Sequence, residues 1–130
     1  MMPRFDFSCF HELKEALYHS CIHDARIVDV QYNYVENRLA IETFHEFYNV
    51  KTSFVFHGVD ILVMKKGDWL GNDDEIIAVA LEDPSDCPYC DCNKTCTNEK
   101  DKFLYLMFQM FSGDEIHIIA KDVVFEIYKQ

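Results

Sequence analysis

A mainly β fold, built on one antiparallel sheet and led by a short N-terminal helix, is what this sequence predicts. Three observations carry that expectation. The chain is rich in residues that suit a pleated, half-buried surface, with 11 Phe, 7 Tyr and 49% hydrophobic residues. Apolar and polar residues alternate with period two over several stretches. Short turn-forming clusters, rather than helical crossovers, separate most of these stretches. By strict count the single helix makes the class α+β. About seven or eight sequential strands should curve into a sandwich or an open barrel. The 130 residues suit a single domain spanning 1–130, which can bury roughly two-thirds of its unfolded surface and needs no staple.

The helix is expected from Ser8 to about Tyr18, where Ser8 can cap and Phe10, Leu13 and Leu17 share one face. Glu12 near its start suits the helix dipole, and a helix this short needs the sheet to hold it. Asp24 sits in a turn-like position before the first long strand. Val28, Val30, Tyr32 and Tyr34 alternate there with Asp29, Gln31 and Asn33. Val35-Glu36-Asn37 interrupts that strand, and Asn37 can take the left-handed conformation of a tight turn before Leu39 and Ile41 resume on the way back. A third strand covers Val50 to Phe56. Gly58 breaks or bulges it, and Val59 to Met64 reads as a fourth. Lys65 to Asp68 and Gly71 to Glu75 are turns, and Ile76 to Glu82 is a fifth strand, apolar enough for burial on both faces. Lys102 to Phe111 reads as a central strand. Ser112-Gly113-Asp114 is a hairpin turn, and Glu115 to Ala120 and Val123 to Tyr128 close the chain as two strands. The expected core is Val28, Val30, Leu39, Ile41, Phe54, Phe56, Leu104, Leu106, Phe108 and Ile118.

The formal charge is −11, from 23 acidic and 12 basic residues. Such a surface repels phosphate backbones and anionic bilayers, so neither nucleic acid nor membrane is an expected partner, while a basic protein is. No apolar stretch resembles a signal peptide or reaches the length of a membrane span, which places the chain in the cytoplasm with its six cysteines mostly reduced. Oligomeric state is not indicated.

The distinctive local feature is a cysteine-rich insertion at 83–101, where periodicity is lost. Cys87, Cys90, Cys92 and Cys96 stand in a C-x2-C-x-C-x3-C arrangement. A C-x2-C knuckle aims two thiolates at one ion, so this loop could hold zinc in a structural, four-sulfur site. A zinc ribbon separates its knuckles by many more residues, and the spacing is not that of a bacterial ferredoxin. Metal, free thiols and a disulfide all remain open readings. Outside the loop, Cys9, Cys21 and the histidines are possible further ligands.

Catalytic patterns are thinner. His19, Cys21 and His23 could share a face, though histidines near a helix end are more often simply hydrogen-bonded. His23-Asp24 suggests a base and its carboxylate, but no recognisable nucleophile accompanies it. His11-Glu12 and His45-Glu46 lack the second histidine of a metalloprotease, with Glu15 and Asn49 in its place. There is no nucleophile elbow, phosphate loop or dinucleotide fingerprint. The acidic run Asn72 to Glu75 lacks the ligand spacing of a calcium loop. Phe103, Tyr105 and Phe111 fall inside an apolar run and read as core rather than as a base-stacking platform.

His23-Asp24-Ala25-Arg26-Ile27 and Phe56-His57-Gly58-Val59, with the preceding helix and the hairpin between them, make the first two-thirds of the chain similar to a group of small bacterial β-rich domains. Some of those are grouped with immunity proteins of toxin systems. The resemblance implies a β-rich fold and no established activity, and it does not extend to the cysteine loop. The expectation is a non-enzymatic binding or immunity-like domain with an acidic surface. The alternative is a metal-binding protein whose cysteine loop takes structural zinc.

Overall fold

The computed structural model describes residues 3–20, 22–67, 76–89 and 103–129. The fold is mainly β, with one short helix and a seven-stranded antiparallel sheet that does not close into a barrel. A three-residue strand, β1 (Arg4–Asp6), precedes a 3-10 turn and helix α1 (Phe10–Tyr18). Then come β2 (Arg26–Asn33), β3 (Arg38–His45), β4 (Val50–Lys65), β5 (Ile76–Glu82), β6 (Leu104–Met110) and β7 (Glu115–Lys129). Their order in the sheet is β2-β3-β4-β7-β6-β5, with β1 also paired to β7.

The axis of the molecule is the ribbon of β4 and β7, which pair along their whole length from Val50 opposite Lys129 to Lys65 opposite Glu115. Sequence reasoning divides each of these strands in two, and the structure corrects that. Neither strand breaks. They bend together where Gly58, at φ 62°, lies between the His57–Asp122 and Val59–Ala120 pairs. Phe56 and Val59 are successive core residues of β4, and Ala120 and Val123 of β7, so the inward step lengthens from two residues to three in both strands at once. A Cβ on Gly58 would stand 2.9 Å from the Lys121 side chain, and the left-handed backbone excludes most other residues there. A bulge between Val59 and Ile61 adds a second irregularity.

This bend separates two half-sheets. β2 and β3 flank the first half of β4, while β5 and β6 flank the first half of β7. The main core lies between the halves and under α1: Leu13 and Leu17 pack with Leu39, Ile41, Phe54, Phe56, Leu104, Leu106, Phe108, Ile118 and Phe125. Phe54 anchors it, with Phe108 edge-on at 5.1 Å and Phe125 tilted at 4.9 Å. Where the half-sheets approach, Ile76 N–H donates to Ala25 C=O at 2.8 Å and Ile76 C=O accepts from Asp24 N–H at 2.9 Å.

The turns carry the residues that their geometry needs. Asp24, Asn37 and Asn49 take positive φ at the ends of loops, and Gly113 at φ 88° closes the β6–β7 turn. Gly67 touches that same turn, where a Cβ would meet Ser112 O at 2.4 Å, and its N–H donates to Asp114 Oδ1 at 2.6 Å.

Eight of the ten expected core residues are buried, but Val28 is 56% exposed and Val30 is half-buried. The bulge between Ile27 and Asp29 resets the alternation at Val28, and β2 is an edge strand. β5, expected to be buried on both faces, is the other edge, with Ala78, Val79 and Ala80 half-buried. β6 lies inside the sheet as expected, paired with β7 on one side and β5 on the other, while β4 and β7 hold the middle. Phe111 leaves the core for the turn, at 40% exposure.

Candidate functional site

Beyond the bend, the sheet buries side chains on both faces. On the face away from the main core, Ile61, Phe103, Tyr105, Met107 and Ile119 gather into a second, smaller cluster, and Cys87 completes it. Chain register explains the grouping. Tyr105 pairs with Ile119 and Met107 with His117, while β4 brings Ile61 opposite Ile119 and Val63 opposite His117. The chain after β5 covers this face: Asp83 caps a 3-10 turn over Pro84–Asp86 by accepting from Ser85 N–H, and Cys87 follows directly.

A hydrogen-bonded chain runs through the cluster. His117 is 2% exposed, and its Nε2 lies 2.9 Å from Glu115 Oε1. Its Nδ1 lies 2.7 Å from the Tyr105 hydroxyl. Glu115 as a carboxylate requires the proton on Nε2, so Nδ1 accepts and the Tyr105 O–H donates to it. The Tyr105 phenol is held well above its usual range by burial first, then by the neighbouring Cys87, with Glu115 and Glu82 adding to the effect. Tyr89 stands edge-on to the imidazole, with ring centroids 4.9 Å apart, and closes it from solvent. Both ring nitrogens are thus occupied by sheet residues, and the Tyr89 ring is what the segment after β5 lays against His117.

Of the four cysteines expected to bind metal, Cys87 is described, and it is 4% exposed beside Tyr105. Cys90, Cys92 and Cys96 lie outside the described residues, as do Cys21 and the acidic run Asn72 to Glu75. Among the described residues no three potential metal ligands converge. Cys9 is half-buried just before α1.

The other histidines serve local contacts. His19 ends α1 and pairs with Glu15 at 3.3 Å. His23 and Asp24 meet at 3.1 Å, both more than half exposed. His45 Nδ1 accepts from Tyr48 N–H, so His45-Glu46 belongs to a turn. His57 lies 2.8 Å from Asp122 on the outside of the bend. Sequence reasoning missed the Glu115–His117–Tyr105 chain. Its only signal was Glu115 and His117 two residues apart on one strand, which places them on one face.

Charge is distributed as unevenly as packing. From Gly67 to Asn93 the sequence has eight acidic residues and no lysine or arginine, leaving fifteen acidic against twelve basic elsewhere. Within that stretch Glu82, Asp83 and Asp86 are exposed at the end of β5. No helix among the described residues is long and apolar enough to cross a membrane. No protein-family model matches the chain, and no curated protein matches it.

Proposed function

We propose that this chain is a non-enzymatic binding domain, immunity-like in the manner its sequence suggests, which meets a basic protein partner in the bacterial cytoplasm through the acidic side built around β5. The observation that carries the reading is the segregation of charge. Eight acidic residues fall without a base between Gly67 and Asn93, and Glu82, Asp83 and Asp86 are exposed together at the end of an edge strand. A field of one sign raises the encounter rate with an oppositely charged partner and falls with ionic strength. The test is affinity capture from the native cytosol with the intact chain and with a Glu82→Lys, Asp86→Lys chain, at low and high salt. A basic protein held by the intact chain, released by salt and lost on charge reversal supports the reading. A partner that the charge-reversed chain holds equally well overturns it.

A second reading rests on Cys87. Its sulfur is buried at the head of the cysteine-rich segment, against Tyr105 and Ile119. Cys87, Cys90, Cys92 and Cys96 would hold zinc, which would supply order to the loop and leave no open position for a substrate. His117 would stay outside such a site, because both of its nitrogens are already bonded. Metal analysis of protein purified without chelator separates the two readings.

A further inference from the structure

We propose that the open edge of β5, from Val79 to Glu82, takes up a basic, extended segment of the protein partner as an added strand. This rests on the acidic-surface reading above and gives it a geometry. Among the described residues no strand pairs with the far side of β5. The direction of its backbone groups follows from its neighbour. Met110 N–H donates to Asp114 C=O, and Met110 C=O accepts from Gly113 N–H, so Met110 faces away from β5. Alternation then turns Gln109, Met107 and Tyr105 toward β5, where they meet Ala78, Ala80 and Glu82. The intervening Val79 and Leu81 therefore present their N–H and C=O groups to the open side.

At its first residue this edge already takes a backbone partner, since Ile76 bonds to Asp24 and Ala25. Past Ala25 the chain departs into β2, and the edge continues without it. Natural sheet edges are commonly guarded by lysine, proline or an inward charge. β5 has a bulge at its start but no lysine, arginine or proline, and Glu82 is its one charge. The side chains that flank the edge on the outer face are Ala78 and Ala80, small enough for close backbone approach. Beyond them stand Glu82, Asp83 and Asp86, all acidic and exposed. Backbone pairing gives such a site its affinity, and the charges at its end select lysine or arginine on the incoming strand.

The experiment uses the full chain and two probe peptides alternating valine with lysine, identical except that one is N-methylated at every backbone amide. The unmethylated peptide should bind saturably and slow hydrogen exchange at the Val79 and Leu81 amides. N-methylation keeps the charge and removes the donors, and should weaken binding about tenfold or more. Equal binding of the two peptides overturns strand addition and leaves the acidic-surface reading standing. Absence of binding by either, or protection of both amides in the free chain, also overturns it. The acidic-surface reading falls separately, when charge reversal leaves partner capture unchanged.

Discussion

Tyr105→Phe isolates one hydrogen bond in the second cluster. The substitution keeps the ring, which lies nearly parallel to His117 with centroids 5.9 Å apart, and so leaves no cavity. It removes the hydroxyl 2.7 Å from His117 Nδ1. His117 is 2% exposed and Tyr89 covers it, so water does not replace the lost donor. An acceptor left unsatisfied in such a place costs about 1–3 kcal/mol. In a domain of this size that corresponds to a fall in Tm of about 4–10 °C. Urea denaturation of the variant beside wild type measures it, with Tyr32→Phe as the control. The Tyr32 hydroxyl also makes a short bond, 2.8 Å to Asn37, but it lies at the surface, and its loss should change stability by less than about 0.5 kcal/mol. If Tyr105→Phe unfolds at the same midpoint as wild type, the Tyr105–His117 hydrogen bond does not contribute to stability, and His117 is not left a dry, unsatisfied acceptor by its loss.

Phe108→Ala should cost about 3–5 kcal/mol, because the ring is fully buried edge-on to Phe54; a loss under about 1 kcal/mol would contradict a packed interior there. Asp114 is held below the usual carboxylate range, first by the Gly67 N–H and then by Lys66. A depressed folded value adds stability above the unfolded pKa and loses it as pH falls through the folded one, so Asp114→Asn should be less stable than wild type at pH 7, with the difference shrinking below about pH 4. Should the cysteines bind zinc, a chelator should speed hydrogen exchange within 83–101 and leave the β4 and β7 amides unchanged; protein purified without metal, with four freely titratable thiols in the loop, ends that reading.

The fold class was legible because its signals are local. Period-two alternation in β3 and β4, the Asn37 turn and the Gly113 turn each act over a few residues, and each appears where expected. The two long strands were not legible as single strands. Their apolar period resets at Gly58 and again at Lys121-Asp122, and a reset within one chain looks like a strand end. Only the pairing of the two strands shows that both resets are one bend. Val28 misled for a similar reason, since a bulge shifts the phase by one residue without a glycine to mark it. β1 is three residues long and exists because β7 extends past β6 and leaves an edge at Asp122–Val124. No pattern so short stands out in a sequence. At the candidate site, the cysteine spacing was visible but the network beneath it was not, because Tyr105 and His117 are joined by strand pairing and look like ordinary members of apolar runs.

The bend also explains why the features behind the proposed binding collect on one half of the molecule. In the first half the charges are largely matched: Arg26 pairs with Glu46, Lys51 with Glu42, Arg38 with Glu36, and Arg4 approaches Asp122. There β1 covers part of the β7 edge, and α1 covers the inner face. Beyond the bend the sheet must satisfy two faces at once. Its inner face joins the main core, while its outer face depends on Cys87, Tyr89 and the turn before them. The segment that supplies this cover belongs to the same lysine-free and arginine-free stretch as β5. A strand added at β5 would therefore lie next to the cover, sharing Glu82, whose register partner is Tyr105. Occupancy of the edge and hydrogen-exchange protection around Cys87 should then be coupled, because Tyr105 is common to the strand pairing, to the hydrogen-bonded chain and to the cluster that holds Cys87.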